Sequence, residues 1–347
     1  MNILKLLNSF LCSMLMSNII LTAVGTTTSA DITKQVDAFY DKTLIQPLKS
    51  ARIYAKYGQK RNVKDSDTVR FNKYPLLPTN VVSLVEGVHP LPQKLSNSTF
   101  TATVSLYGGY IELTEECDIY NIDPIVAIAQ ERISWQGVES VDEITRDIIH
   151  GGTNVLYAGS VAGRANVISS IAIADLRKLS RSMMVNKVPF FKPKISSGTG
   201  VGTQPINNAW MMFISPEVLF DLEALAGFRN VSTYPQGSVE ENEVGAFGYF
   251  RMISTPNAPV VIGGGAAVST SGLASDGTNV NVHKCLAIGS DAYGTVEIDG
   301  GMKTIRKDKS AEGGPLELCS TVGWKIRYTS VILDDDRMYR YECGVTA

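Results

Sequence analysis

Residues 68–110 read TVRFNKYPLLPTNVVSLVEGVHPLPQKLSNSTFTATVSLYGGY. At both ends the side chains alternate with period two. Val69 and Phe71 stand between Thr68, Arg70 and Asn72, and further on Phe100, Ala102, Val104 and Leu106 alternate with Thr101, Thr103 and Ser105. That alternation marks half-buried strands. Between them lie Pro75, Pro78, Gly87, Pro90 and Pro92. A proline has no N–H to give to a ladder, so the connection is a long excursion and not a tight turn. The simplest geometry is an extended two-stranded arm with an irregular tip. Such an arm is marginal in water by itself, and its edges offer unpaired backbone groups to any neighbour. It packs either on its own core or on another subunit, and the residues alone leave both readings open.

The strongest helix follows the arm. Asp123 and Pro124 supply a cap and a favoured first position, and Ile125, Ala129, Ile133, Val141, Ile144 and Ile148 form one apolar stripe until Gly151 and Gly152 end it. Gly137 sits on that stripe, so either a neighbour comes close there or the helix bends. Ala172, Leu176, Leu179 and Met183 predict a second helix, and Ser215, Pro216 and Glu217 open a third through Leu219, Leu222 and Leu225. A buried strand from Trp210 to Ile214 stands between them, and the inserts Ser196 to Pro205 and Gly263 to Gly277 read as surface loops. Towards the carboxy terminus Val322, Trp324, Ile326 and Tyr328 alternate with polar neighbours. A solvated turn at Asp334, Asp335 and Asp336 is expected to lead into a hairpin partner carrying Tyr339, Tyr341 and Cys343 on one face. Before the arm, Asp31 can cap a helix with Ile32, Val36, Phe39 and Tyr40 at helical spacing, limited by Pro47. The whole reads as α+β.

Composition narrows the function. With 347 residues, 44% of them hydrophobic and 19% charged, the chain can bury a real core and is not disordered over most of its length. Its 32 Lys and Arg against 34 Asp and Glu give a net charge of −2, which denies it an overall basic field for gripping nucleic acid. From Leu6 to Val24 the chain is largely apolar, preceded by Lys5 and followed by Thr28, Ser29 and Ala30, in the manner of a signal peptide. Asn8, Ser9, Ser13, Ser17 and Asn18 interrupt that run, as they would in an ordered arm. Both readings stand. Cys12, Cys117, Cys285, Cys319 and Cys343 include no C-x-x-C pair; without the leader, four thiols remain that an oxidising compartment could pair.

Motifs for chemistry are absent. Gly198, Gly200 and Gly202 lack dinucleotide spacing, and Gly263 to Gly265 is followed by no Gly-Lys-Ser/Thr. His89, His150 and His283 are isolated, beside no plausible nucleophile, and read as loop or helix-end residues. Glu115 and Glu116 read as a charged strand end. The sequence therefore predicts no enzyme, no cofactor and no metal. Lys56, Lys60, Arg61, Lys64, Arg70, Lys73 and Lys94 crowd the arm and its root, where they could meet phosphate, an acidic protein surface or only solvent.

Several stretches, in order, resemble one known family. They are Tyr57-Gly58-Gln59-Lys60-Arg61, TVRFNKYPLLP from Thr68, LVEGVHP from Leu84, TFTATVSLYGGYIELTEE from Thr99, TRDIIHGGTNVLYAGS from Thr145, IGSDAYGTVEIDGG from Ile288 and TVGWKIRYTSVILDDDRMYRYECG from Thr321. Together they are similar to the N4-type family of tailed-phage major capsid proteins, a branch of the Hong Kong 97-type capsid fold. The resemblance implies an N-terminal leader and arm over 1–62 and an extended loop over 63–110 that overlaps an adjoining subunit. It further implies a peripheral domain with a spine helix over 111–165, an axial domain over 166–300, and C-terminal strands over 301–347 that complete the peripheral domain. Ser196 to Asn208 and Gly263 to Val282 look like loop expansions on that plan.

The implied function is a major capsid protein that self-assembles through pentamers and hexamers into an icosahedral head around the genome. Its implied place is the virion, built in the cytoplasm of the host bacterium. The implied partners are further copies of itself, scaffolding, portal and decoration proteins, and packaged double-stranded DNA held non-specifically, with no membrane. Some shells of this fold join Lys to Asn covalently, but no residue match carries that chemistry here. Arg61, Arg70, Lys73, Glu86 and Lys94 are the candidate intersubunit contacts. Reversing the charge of Arg61 and Arg70 is expected to slow assembly, and removing residues 65–108 to leave a soluble core that cannot close shells. The alternative reading, carried by the leader and the strand-rich ends, is a secreted bacterial surface or adhesion protein with a signal peptide.

Overall fold

The computed structural model describes residues 26–27, 52–63, 66–121, 123–196, 205–235, 239–268, 272–309 and 316–347. Outside them lie the apolar leader, Cys12, the helix expected from Asp31, Lys64 and the centres of the two glycine-rich inserts. The described residues divide into two compact units. One holds Leu106–Ser140 and Gly300–Arg327 with Thr26–Thr27; the other holds Arg52 to Ser105, Val141–Asp299 and Tyr328–Ala347. The long helix Ile125–Ile149 and the strands Tyr293–Lys307 and Cys319–Ile332 give residues to both.

In the first unit the strand Ser105–Thr114 pairs with Thr26–Thr27 on one side, parallel with Thr26 opposite Glu112, and with Cys319–Ile332 on the other. The alternation read from the sequence holds here, since Val322, Trp324 and Ile326 turn inward. Ala129 and Ile133 of the long helix are buried too. A Cβ on Gly137 would lie 2.5 Å from the Met302 Sδ and 2.9 Å from the Trp324 ring, so the glycine is there because a neighbour presses against it. The Trp324 indole N–H donates to Gln136 Oε1 at 3.2 Å and fixes the ring over that spot. Glu115 and Glu116, expected at a strand end, instead open the short helix Glu115–Tyr120. Thr114 caps it by accepting from the Cys117 N–H at 3.4 Å, and the acidic pair suits the positive end of the helix dipole.

The second unit is built on an eight-stranded mixed sheet whose path runs Val155–Tyr157, Met338–Cys343, Val282–Ile288, Trp210–Ile214, Phe250–Ser254, Glu243–Phe247, Arg229–Asn230, with Val260–Val261 paired off that path to Val282–Ile288. Trp210–Ile214 lies at its centre and every residue of it is buried. An uninterrupted apolar run is what a strand covered on both faces requires. Trp210, Met212 and Ile214 meet Leu176, Leu179 and Met183 of the helix Ile173–Val185 and Val218 and Leu222 of the helix Pro216–Glu223. Met211 and Phe213 meet Ile53, Tyr54, Ile149 and Tyr293 on the other face.

The last turns of the long helix depart from the predicted stripe. Val141, Asp142, Thr145 and Ile149 face inward there instead of Ile144 and Ile148. The polar pair is admitted because each finds a partner. Thr145 Oγ1 lies 2.6 Å from the Tyr328 hydroxyl, while Asp142 accepts from the Ala55 N–H at 3.2 Å and from Asn257 Nδ2 at 3.4 Å. The expected C-terminal hairpin does not form either. Met338–Cys343 pairs antiparallel with Val282–Ile288 and parallel with Val155–Tyr157, whereas Cys319–Ile332 belongs to the other sheet. The turn between them is not simply solvated: Asp334 binds Lys73 Nζ at 2.7 Å and Arg337 Nε at 3.0 Å, and Asp335 accepts from the Thr153 N–H at 3.1 Å. No disulfide joins Cys117, Cys285, Cys319 and Cys343.

Candidate assembly surface

The two strands read from residues 68–110 form a ribbon. Thr68–Lys73 pairs antiparallel with Ser98–Thr103, with Phe71 opposite Phe100 and Val69 opposite Ala102. The second strand stops earlier than the alternation suggested. Val104 donates to the Asp67 carbonyl at 2.9 Å and closes the ribbon's base, and Ser105–Thr114 then joins another sheet. A period-two pattern continues unchanged through a change of partner, so the break left no mark in the sequence. At its root the ribbon is covered by its own chain: Phe71 and Ala102 are buried with Val296, and Val331 and Leu333 pack alongside.

The tip is different. Every residue from Tyr74 to Thr99 is exposed, including Leu76 at 91%, Val81 at 93% and Leu91 at 92% of their full accessible area. Val82, Leu84, Val85, Val88 and Leu95 are exposed beside them. Pro75, Pro78, Pro90 and Pro92 keep the limbs from laddering. Gly87, at φ +78°, makes the reversal together with a Val88 N–H to Val85 carbonyl bond of 3.1 Å. Soluble chains rarely leave so much contiguous apolar surface open unless another molecule covers it.

Arg61, Arg70 and Lys73 come together at the ribbon's root, where they line a groove of about 490 Å³ with Asp291, Asp334 and Arg337. Lys73 is engaged there by Asp334, as described, and Gln59 Nε2 donates to Asp291 Oδ1 at 2.6 Å. Arg61 and Arg70 are exposed and make no ion pair among the described residues. Arg61 lies on Gln59–Val63, the strand that ends its sheet. Glu86 and Lys94 sit on the tip, both exposed. The apolar tip residues are what sequence reasoning passed over, although the repeated Leu and Val between prolines carried the signal.

One histidine expectation is overturned. His283 is a buried strand residue, and its Nδ1 lies 3.0 Å from Ser215 Oγ while its Nε2 lies 3.1 Å from Glu217 Oε2. Sixty-eight residues separate serine and histidine in the chain, so only the fold brings them together. Ser215 and His283 are both buried. Ser215 spends its hydroxyl on the imidazole instead of on a helix N–H, and the contact ties the helix Pro216–Glu223 to the sheet. Burial lowers the His283 pKa against the opposing pull of Glu217 and Asp221. His150, at the end of the long helix, is buried edge-on to the Tyr54 ring at 5.8 Å, and its ring nitrogens have no hydrogen-bond partner among the described residues. Burial, with Lys284, Arg340 and Arg146 nearby, holds its pKa down at about 3. Among the described residues no group of His, Cys, Asp and Glu could hold a metal ion, and no helix is long and apolar enough to cross a membrane.

The sequence profile of a family described as phage capsid protein matches residues 98–341, well over half of the chain. The chain belongs to the phage capsid protein family. Solved structures agree on the fold. The capsid structure of the cyanophage P-SCSP1u superposes with a TM-score of 0.63 at 12% identity, covering 92% of this chain and 98% of that one. The capsid of Ralstonia phage GP4 does so with 0.62 at 13%, covering 93% and 99%, and the head structure of Helicobacter pylori bacteriophage KHP40 with 0.60 at 11%, covering 92% and 97%. A comparison with curated proteins finds no match. The fold is the α+β Hong Kong 97-type capsid fold expected from the sequence, and the chain is a major capsid protein of the tailed phages. Its role is structural, and its place is the virion capsid, a shell of many subunits. Between the coat protein and the secreted surface protein, the family match decides for the coat.

Proposed function

We propose that copies of this capsid protein join as pentamers and hexamers and close into an icosahedral head around double-stranded DNA. In this reading residues 63–110 are the extended loop that lies over an adjoining subunit, and 111–165 with 301–347 form the peripheral domain. Residues 166–300 are the axial domain at the centre of each ring, and 1–62 the leader and arm. The observation that carries it is the ribbon, whose root is buried at home while its apolar tip from Tyr74 to Thr99 is bare. A typical specific interface buries on the order of 1,600 Å². Each subunit takes part in several, so modest contacts add up to a durable shell. The net charge of −2 suits a container that holds DNA without sequence preference and lets it leave.

The N4-type branch is supported by the collinear resemblance that runs from about Ile32 to Gly344. Assembly in the host bacterial cytoplasm, with scaffolding, portal and decoration proteins as partners and without an enzymatic step by this chain, completes the reading. Arg61, Arg70, Glu86 and Lys94 remain its candidate contacts between copies, with Lys73 already held by Asp334.

The test is a deletion confined to the tip. Val104 closes the ribbon's base and Ser105–Thr114 is a sheet strand, so a cut over 65–108 would damage the folded core. Replacing residues 74–97 by Asn-Gly instead joins Lys73 to Ser98, which already face each other, through a favoured two-residue turn. The expected product keeps the wild-type unfolding transition but shows no closed particles by negative-stain microscopy. Shells of normal size from this variant would overturn the role given to the loop.

A further inference from the structure

A second, smaller pair of matching features lies on the unit that contains the eight-stranded sheet. On the helix Pro216–Glu223, Val218 and Leu222 point into the core and Phe220 points out, 73% exposed. Glu217 and Glu223 stand three residues to either side of it, on the same helix face, and both are exposed. The result is an aromatic knob between two carboxylates, of which Glu217 also meets His283 and Glu223 makes no ion pair among the described residues.

On the same unit, a groove of about 540 Å³ opens between the helix Ile173–Val185 and the segment Ala226 to Arg229 that follows the knob's helix. Met184, Val185, Phe247 and Tyr249 give it apolar walls, and Arg177, Arg181 and Arg229 line it as well. Arg177 and Arg181 are four residues apart on one helix face, exposed, and in no ion pair among the described residues. The Arg229 guanidinium donates to the Pro205 carbonyl, which holds it at the groove. The result is an apolar slot edged by arginines.

We infer that the Phe220 knob of one copy seats in the arginine-lined groove of a second copy. Knob and groove are complementary in apolar character and in charge. An aromatic anchor with an apolar slot is the usual centre of a contact, and arginine against carboxylate sets its register and excludes wrong partners. Knob and groove are different patches of one chain, so the contact is heterologous: each copy gives a knob to one neighbour and a groove to the other, and repetition closes a ring. This rests on the self-assembly reading above and specifies which surfaces carry it within a ring.

The test uses the full chain with Arg181→Glu, with Glu223→Arg, with both substitutions together, and as an equal mixture of the two single variants. Each single variant is expected to lower the yield of particles and capsomers about tenfold, because like charges then face each other. The double variant should recover to within about twofold of the wild type, since the pair is matched again with its signs exchanged. In the mixture, matched contacts require the two variants to alternate, so six-membered rings should return without five-membered ones. Phe220→Ser serves as an uncharged control, expected to cut the yield with a thermal midpoint within about 2 °C of the wild type. Single variants that assemble like the wild type, or a double variant that fails to recover, would overturn this contact and leave the capsid reading intact. A wild-type chain that forms no oligomer would overturn the self-assembly reading, and this inference with it.

Discussion

Trp210–Ile214 and the ribbon tip are both rich in large apolar residues, yet one is wholly buried within its own chain and the other wholly exposed. Their difference lies in the backbone. Trp210–Ile214 contains no proline, so its N–H groups pair with Phe250–Ser254 on one side and Val282–Ile288 on the other, and helices and loops then cover both faces. Four prolines deny the tip any such ladder. Apolar content alone therefore does not make a core. It stabilises a chain where the backbone can be satisfied at the same place, and where it cannot, the surface is left for another molecule.

That contrast can be broken by exchanging the same kind of damage between the two regions. Trp210 stacks on Phe190 with 4.6 Å between ring centroids, and its N–H reaches the Val188 carbonyl at 3.3 Å. Trp210→Ala should cost about 4 kcal/mol of stability in urea unfolding. Leu91→Ala on the tip should cost less than about 0.5 kcal/mol and still lower the yield of shells. A tip substitution that destabilised the isolated chain as strongly as the core one would end the distinction.

Polar groups sharpen it. Within the sheet unit Arg251 and Glu243 form a buried ion pair at 2.8 Å, and the Tyr234 hydroxyl donates to the same carboxylate at 3.0 Å. Arg251→Met leaves that carboxylate unpaired in the core and should cost about 3 kcal/mol by the same unfolding measurement. The addition of Glu243→Gln should return part of the loss, because no buried charge then remains.

Acid should destabilise the core through His150. His150 is held at a pKa of about 3 by burial and by the cations Lys284, Arg340 and Arg146, against an unfolded value of 6.5. The unfolded chain therefore takes up this proton first, and stability falls as pH drops from about 6.5 towards 3. Between pH 7 and pH 5 this one group should remove about 2 kcal/mol. Urea midpoints of the wild type and His150→Gln at the two pH values check this, since the effect of His283 is common to both chains. Equal losses in the two proteins would mean that His150 is not the group responsible.

Only a small effect is expected from the ion pair at the ribbon's root. Lys73 Nζ and Asp334 Oδ2 are 2.7 Å apart at the ribbon's root, with the lysine partly exposed. Lys73→Ala should change the unfolding free energy by less than about 1 kcal/mol, as partly solvated pairs do. The hydrophobic contacts of Phe71 and Ala102 with Val296, not this pair, hold the ribbon down.

What the sequence determined by itself is what depends on near neighbours along the chain. The alternation at Val69, Phe71, Phe100 and Ala102, the start of the long helix just after Pro124, the helix of Leu176, Leu179 and Met183, and the buried run Trp210–Ile214 all follow from periodicity and proline placement. The resemblance of the quoted stretches also pointed to the phage capsid proteins, the family that the profile match shows. Only the tertiary structure decided which strands pair. Ser105–Thr114 leaves the ribbon for another sheet, and Met338–Cys343 passes over the nearby strand Cys319–Ile332 to pair with Val282–Ile288. It likewise decided that Asp142 and Thr145 go inward while Ile144 and Ile148 do not, that Asp334 gathers Lys73 and Arg337, and that Ser215 meets His283. The physical reason is common to all of these: a strand keeps the same period whichever partner it has, and a polar side chain is buried only where a distant residue arrives to satisfy it.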